Sequence, residues 1–122
     1  MAAKTRALAA LSNTPHEVLE YASGRDNFGA HAAEELGIDP RVVMKTLVIH
    51  HDRDLAVCCV PVAGHLSLKA AAKALGWKRA EMTDPSEAQR ATGYVVGGIS
   101  PLGTTRRMPT LIDDSVAAEP TI

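Results

Sequence analysis

Aromatic residues are nearly missing from this chain: its 122 residues include one Trp, one Phe and two Tyr. Its core must therefore be aliphatic, packed from Ala, Val and Leu. No apolar run approaches the length of a membrane span, and no signal peptide is visible, so no membrane partner is expected. Thirteen Lys and Arg against fourteen Asp and Glu leave a net charge of -1. That balance lacks the global basic field with which a protein grips nucleic acid by charge alone, and it argues against a DNA-binding role. Cysteine is confined to the adjacent pair Cys58 and Cys59. Neighbours on a strand point to opposite faces, so the two are not expected to form a disulfide, which suits a reducing cytoplasm. There is no P-loop, no G-x-S-x-G elbow and no metal-ligand spacing, so no cofactor or metal is expected.

What remains is ordinary globular material, 46% hydrophobic and 22% charged, of a length that fits one domain spanning 1–122. Helical spacing runs from Lys4 to Leu11, and Pro15 cannot continue it. His16 to Tyr21 reads as a strand, followed by a turn at Ser23–Asp26. A short helix from Ala30 to Leu36 stops at Gly37, with His31 and Glu35 one turn apart as a helix pair. Asp39-Pro40 opens a helical turn. Met44 to His50 is the strongest strand. A polar turn at His51–Asp54 leads into the apolar strand Leu55 to Val60, an antiparallel hairpin with His50 and His51 exposed beside its turn. Ser67 caps a helix from Leu68 to Leu75 that Gly76 ends. Arg79 to Met82 is a candidate short strand. Asp84-Pro85-Ser86-Glu87 starts a helix that ends at Gly93. Tyr94 to Gly97 reads as a strand, and Met108 to Ile112 as another that Pro109 assigns to an edge. The expected class is α+β, a curved mixed sheet with flanking helices.

Two features carry chemistry. The first is the loop Gly97-Gly98-Ile99-Ser100-Pro101. Consecutive N–H groups in such a loop can line a concavity that binds an oxyanion or carbonyl oxygen, although an unplaced glycine pair also serves as a hinge turn. The second is Lys45 in an apolar strand, on the same face as Val43, Leu47 and Ile49 by strand alternation. A lysine at a strand start can snorkel to water, or it can stand at the mouth of a pocket facing an anionic or carbonyl group. Together, N–H donors and a cation suit an ester whose carbonyl oxygen gains charge in the transition state. Lys69, Lys73, Lys78 and Arg79 form the basic cluster of note, either a solvated helix face or a phosphate contact. The cysteines lie in an apolar strand, where thiols are inert.

These residues resemble the YbaK/EbsC family of aminoacyl-tRNA deacylases, relatives of the editing domain of bacterial prolyl-tRNA synthetases. The resemblance rests on Val43-Met44-Lys45-Thr46-Leu47-Val48, Val60-Pro61-Val62, Leu68 to Gly76, Thr92-Gly93-Tyr94, Gly97 to Gly103 and Leu111-Ile112-Asp113, in order over most of the chain. It implies a partly closed mixed β-sheet, barrel-like, with flanking helices. It implies hydrolysis of a mischarged aminoacyl-tRNA, Cys-tRNA(Pro) above all, in the cytoplasm. Proline tRNA would be the substrate and prolyl-tRNA synthetase a candidate partner. Lys45 matches the family's functional lysine. Gly97, Gly98, Ile99, Ser100 and Pro101 match the loop that holds the terminal adenosine and the aminoacyl group. Tyr21, Phe28 and Thr46 fall where the amino-acid pocket is lined. The substrate's own thiol would attack its ester carbonyl, so no protein nucleophile is required. Family members continue past Leu111-Ile112-Asp113 with a further strand and helix that this sequence lacks. Alternative readings are a non-catalytic module binding aminoacyl-tRNA or a synthetase, and alanine-specific editing.

Overall fold

The computed structural model describes residues 5–22 and 28–122, with side chains from 29 onward in the second segment. The expected turn at Ser23–Asp26 lies outside them. Helix α1 (Arg6–Ala10) starts at Thr5, whose hydroxyl accepts the Leu8 N–H. Helix α2 covers Phe28–Leu36, and the Asp39 carboxylate then takes the Arg41 N–H at 2.9 Å to form the expected turn.

The central hairpin joins β1 (Met44–His51) to β2 (Asp54–Pro61) in antiparallel register, Thr46 opposite Cys59 and His51 opposite Asp54. Its turn is only Asp52-Arg53, with Asp52 in the left-handed region at φ 51°. Asp tolerates that conformation, and a two-residue turn of this hand matches the twist of the strands. Every residue of β2 from Leu55 to Pro61 is buried. The unbroken apolar sequence is what a strand needs when it is covered on both faces and both edges.

Helix α3 (Leu68–Leu75) begins at Ser67, whose Oγ accepts the Ala70 N–H, and ends at Gly76 with φ 72°. Strand β3 is two residues, Glu81–Met82, and α4 is Pro85–Thr92, capped by Asp84 through the Ser86 N–H. Ser86 holds the Asp84 carboxyl below its ordinary range. Strand β4 (Thr110–Ile112) runs parallel to β2, and a 3-10 turn at Asp114–Val116 buries Val116. The sheet order is β3-β1-β2-β4, so β4 is an edge, and it starts at Thr110 just after Pro109 rather than at Met108. The class is α+β as expected, a mixed sheet with flanking helices; among the described residues its four strands form an open sheet rather than a partly closed barrel.

Alternation along the hairpin splits the core into two layers. Ile49, Ala56 and Cys58 pack with Ala71 of α3 and with Trp77. Val48 and Leu55, on the opposite face, pack with Ala88 and Ala91 of α4, joined by Ile99 and Met108. Adjacent residues Val48 and Ile49 thus face opposite helices, as a period of two demands.

Three expectations need correction. His16 to Tyr21 is not a strand: the segment is irregular and exposed. Tyr94 to Gly97 is a turn, and two of its N–H groups go to side chains of α4 rather than to a ladder: Tyr94 N–H to Thr92 Oγ1 at 3.2 Å, Val96 N–H to Gln89 Oε1 at 3.0 Å. His50 and His51 are half-buried rather than exposed; His50 lies 3.9 Å from Glu81 of β3, and the His51 ring centroid is 6.0 Å from that of Trp77. Among the described residues, no helix is long and apolar enough to cross a membrane.

Candidate functional site

The open edge of β1 is where the sheet stops short. Val43 O accepts the Val62 N–H at 2.8 Å, and Val48 O accepts the Thr83 N–H at 3.0 Å. In an antiparallel ladder the main-chain groups alternate sides. The odd-numbered residues of β1 therefore bond inward to β2, and the even-numbered ones point outward. Extending the β1–β3 register, in which Ile49 faces Met82 and His50 faces Glu81, would set residue 85 opposite Thr46. That residue is Pro85, which has no N–H and already opens α4. The strand pairing ends there, and the N–H and C=O of Thr46 project past the end of β3.

A cavity of about 750 Å³ occupies this gap, between the outer edge of β1, α2, the start of α4 and the glycine loop. Its size suits a small ligand or the end of a large one. Tyr21, Lys45, Thr46, Gly97, Gly98 and Ile99 all line it, so six of the residues singled out in the sequence come together. Ser100 and Pro101 are outside the lining: the Ser100 hydroxyl instead accepts the Leu102 N–H at 3.1 Å and braces the loop's exit. Phe28 starts α2, and its side chain lies outside those described.

The two neighbours on β1 act from different faces. Lys45 lies on the α3 face, where its Nζ donates to the Gly64 carbonyl at 2.9 Å while the side chain is half-buried. A lysine amine that gives one N–H to a carbonyl has further donors to offer a ligand. Thr46 lies on the α4 face opposite Cys59 and hydrogen-bonds its thiol. Burial pushes the Cys59 thiol up, and that bond partly opposes the shift. Burial pushes Cys58 up to about 11, with the neighbouring Cys59 adding to it. Neither thiol is a nucleophile near neutral pH.

The glycine loop is held by side chains rather than by strand pairing. Gly97 has φ 95°, closed to most other residues, and the Gly98 N–H turns back to the Val95 carbonyl at 2.9 Å. Gly98 therefore donates within the loop, while the N–H groups of Gly97 and Ile99 make no hydrogen bond to the described residues. Tyr94 closes the loop, its hydroxyl donating to the Leu102 carbonyl at 2.8 Å. Tyr21 approaches from the other side, its ring centroid 6.2 Å from that of His31, which hydrogen-bonds the Ala22 carbonyl and lies 3.8 Å from Glu35.

The basic cluster does not join this site. Lys69 and Lys73 are exposed on α3, across the sheet from α4 and the glycine loop, with Lys78 and Arg79 exposed just beyond. The roles of Gly64, Gln89 and Thr83 escaped sequence reasoning. The signal for Thr83 was the Asp84-Pro85 pair, which fixes where β3 stops; Gln89 and Gly64 had none.

Residues 28–122 match the aminoacyl-tRNA editing domain family. Over 100 residues the chain is 36% identical to an Enterococcus faecalis (strain ATCC 700802 / V583) protein named "Putative Cys-tRNA(Pro)/Cys-tRNA(Cys) deacylase EbsC". The match takes in 80% of this chain and 61% of that protein, so the chain spans about three-fifths of its relative's length. Among solved structures, the fold is similar to one titled "Crystal structure of a putative trans-editing enzyme for prolyl tRNA synthetase", with TM-score 0.69, 24% identity, and 75% of this chain and 58% of that one covered. A scaffold from a study of epitope backbone grafting by computational design superposes with TM-score 0.76 at 21% identity, over 94% of this chain and 74% of the other. With the family matched over most of its length and the β1 edge and glycine loop meeting in one cavity, this chain belongs to the YbaK/EbsC family of aminoacyl-tRNA editing domains.

Proposed function

We propose that this chain hydrolyses the ester linking a wrong amino acid to tRNA, with cysteine on proline tRNA as the preferred substrate. The observation that carries the reading is the single cavity in which Lys45, Thr46 and the loop Gly97–Ile99 meet, in a chain of the aminoacyl-tRNA editing family. The exposed glycine loop takes the terminal adenosine at the mouth. The ester carbonyl then lies at the free N–H groups of the loop, and the Lys45 ammonium reaches it across the edge of β1 by exchanging the Gly64 carbonyl for the ester oxygen. One well-placed donor to a developing oxyanion is typically worth ~3–4 kcal/mol.

No protein nucleophile is needed when the substrate is cysteinyl. The substrate thiol loses its proton, and its sulfur forms a bond to the ester carbonyl carbon. The carbon–oxygen bond to the ribose breaks, and its electron pair and a proton end on the ribose hydroxyl. Water then opens the resulting thiolactone to free cysteine. Lys45 supports the first step by favouring negative charge on the carbonyl oxygen.

The test is release of amino acid from proline tRNA charged separately with cysteine, alanine and proline, by the wild-type chain and by Lys45→Ala. Selective loss of cysteine, abolished in a folded Lys45→Ala, supports the reading. Loss of alanine instead reassigns the specificity. Unchanged turnover in Lys45→Ala refutes the role given to the lysine. A folded chain that binds an aminoacyl-adenosine analogue and turns over nothing is a binding module.

A further inference from the structure

The chain is nearly neutral, but its acids are unevenly placed. No Asp or Glu occurs between Glu87 and Asp113, and none before Glu17. The first of these acid-free stretches holds Arg90, Arg106 and Arg107, and the second holds Arg6. The fold brings the two together. Gly103, at φ 65°, lies so close to Arg6 that a Cβ built on it would stand 2.7 Å from the Arg6 main chain. The Arg106 N–H bonds the Ala91 carbonyl at 2.9 Å, and the Thr105 hydroxyl lies 3.1 Å from the Arg90 carbonyl. Arg6, Arg90, Arg106 and Arg107 thus gather round the segment 103–107, which Ile99 and Met108 bracket on the α4 side of the sheet. All four are exposed, and none forms an ion pair among the described residues. Arg106 donates from Nη2 to the Arg53 carbonyl at 3.3 Å, a neutral partner that leaves its charge uncompensated.

The other elements around the cavity carry the opposite sign. Helix α2 lines it through Gly29, Ala30, Ala32 and Leu36, and bears the exposed Glu34 and Glu35. Pro85 lines it at the start of α4, between the exposed Asp84 and Glu87. The glycine loop brings no carboxylate. That loop returns to its own start: the Thr105 N–H bonds the Thr92 carbonyl at 3.2 Å, and the Tyr94 hydroxyl holds the Leu102 carbonyl. The arginines therefore stand at the base of the loop whose Gly97 and Gly98 line the cavity. An RNA strand whose terminal adenosine rests on those glycines trails one negative charge per nucleotide. Over α2 or the start of α4 it meets carboxylates. Over the base of the loop it meets guanidinium groups, whose planar fork suits phosphate oxygens. Local charge, not net charge, decides where a polyanion lies. Lys69, Lys73, Lys78 and Arg79 do not compete, because they lie across the sheet on the α3 side.

We propose that Arg6, Arg90, Arg106 and Arg107 form a contact surface for the backbone phosphates of the RNA strand that ends at the esterified adenosine. This rests on the functional reading above and deepens it, since the surface fixes the side of the cavity from which the tRNA enters. Phosphate contacts position a nucleic acid without reading its sequence. The patch therefore holds the strand, and the choice of amino acid stays with the cavity.

The test is the double variant Arg106→Gln/Arg107→Gln, beside Arg106→Lys/Arg107→Lys, which keeps the charge, and Lys69→Gln/Lys73→Gln on the opposite face. With cysteinyl proline tRNA, the Arg-to-Gln pair should raise KM roughly tenfold and leave kcat little changed, as when charge-assisted contacts remote from the ester are lost. Its plot of log KM against log salt should be shallower by about 1.4, at ~0.7 for each phosphate contact to a single strand. The Arg-to-Lys pair should recover most of the affinity. Cysteinyl adenosine has no phosphate, so its hydrolysis should not distinguish the Gln pair from wild type. An unchanged KM for tRNA, an equal loss on cysteinyl adenosine, or the same rise in KM from Lys69→Gln/Lys73→Gln overturns the proposal. If the wild-type chain turns over nothing, fluorescence anisotropy with uncharged proline tRNA reads the same contrast. Weaker binding with a shallower salt slope in the Arg-to-Gln pair supports the proposal, and no binding by wild type overturns it. Failure of the patch alone leaves tRNA deacylation by the Arg-to-Gln pair intact, whereas failure of the functional reading removes turnover of both substrates by wild type.

Discussion

Replacing Thr92 tests how the glycine loop is held. Thr92 is fully buried at the last turn of α4. Its Oγ1 donates to the Ala88 carbonyl at 2.8 Å and accepts the Tyr94 N–H at 3.2 Å, so one hydroxyl ties the helix end to the first residue of the loop. Thr92→Val keeps the volume and removes both bonds. The Ala88 carbonyl keeps its position within the helix, but the half-buried Tyr94 N–H loses its acceptor. Leaving such a donor unpaired costs about 1–2 kcal/mol, toward the lower part of the range for fully buried groups. For a chain of this length that lowers the unfolding midpoint by roughly 5–10 °C. Thr92→Ser keeps the hydroxyl and loses a methyl, at a cost of about 1 kcal/mol. Stability alone does not separate the two variants well, so the deciding assay is amide hydrogen exchange at Tyr94. Protection should be lost in Thr92→Val and kept in Thr92→Ser. Deacylation should follow the exchange result rather than the midpoint. A Thr92→Val protein with wild-type stability and a protected Tyr94 amide would refute the reasoning, because the loop would then be held by Gln89 and Tyr94 alone.

Further outcomes follow from the same geometry. Gly93→Ala forces a side chain into a left-handed position at φ 81°, with its Cβ 2.7 Å from Thr105 Cγ2. It should cost about 1–3 kcal/mol in urea unfolding, and Thr105→Ser should relieve part of that. The thiol of Cys58 is raised to about 11 in the folded chain, while in the unfolded chain it titrates near the ordinary thiol value. Between those values the unfolded state binds fewer protons, so stability falls as pH rises from about 9 toward 11, by about 2 kcal/mol in all. Cys58→Ala should flatten that alkaline limb in denaturant titrations. Lys45→Met keeps much of the apolar stem while removing the bond to Gly64. It should fold, with kcat/KM for cysteinyl proline tRNA down by at least a hundredfold, as expected when a single electrostatic stabiliser is deleted.

What could be read from the sequence divides along physical lines. The hairpin, α3 and α4 were legible because their signals are local: an apolar run with a polar turn, Ser67 and Gly76 as caps, Asp84-Pro85 as a start and Gly93 as a stop. Tyr94–Gly97 was misjudged because Tyr and Val favour strands only where a neighbouring strand offers a ladder, and here Thr92 and Gln89 take the backbone donors. His16–Tyr21 carries a strand-like pattern, yet it is irregular and exposed. Lys45, Thr46 and the glycine loop were recognisable as a motif, yet the cavity they share was not. It exists because Pro85 falls opposite Thr46 in the β3 register, a coincidence of two segments 39 positions apart. Thr83 is legible only once that register is known.

The hairpin turn at Asp52-Arg53 sits at the far end of β1 from Lys45, roughly 20 Å away at the rise of an extended strand. It nevertheless governs which chemistry faces which side. Lys45 reaches Gly64 beneath one face while Thr46 looks toward α4 from the other, and that division holds only for one pairing of β1 with β2. Sliding the pairing by a single residue would exchange them, sending the ammonium to the floor of the cavity and the hydroxyl into the layer beneath α3. Two exposed, polar residues therefore act as the index mark of the site. A substitution that tolerates the left-handed backbone of Asp52 can pass unnoticed, whereas an insertion or deletion of one residue would invert it without touching any residue that lines the cavity.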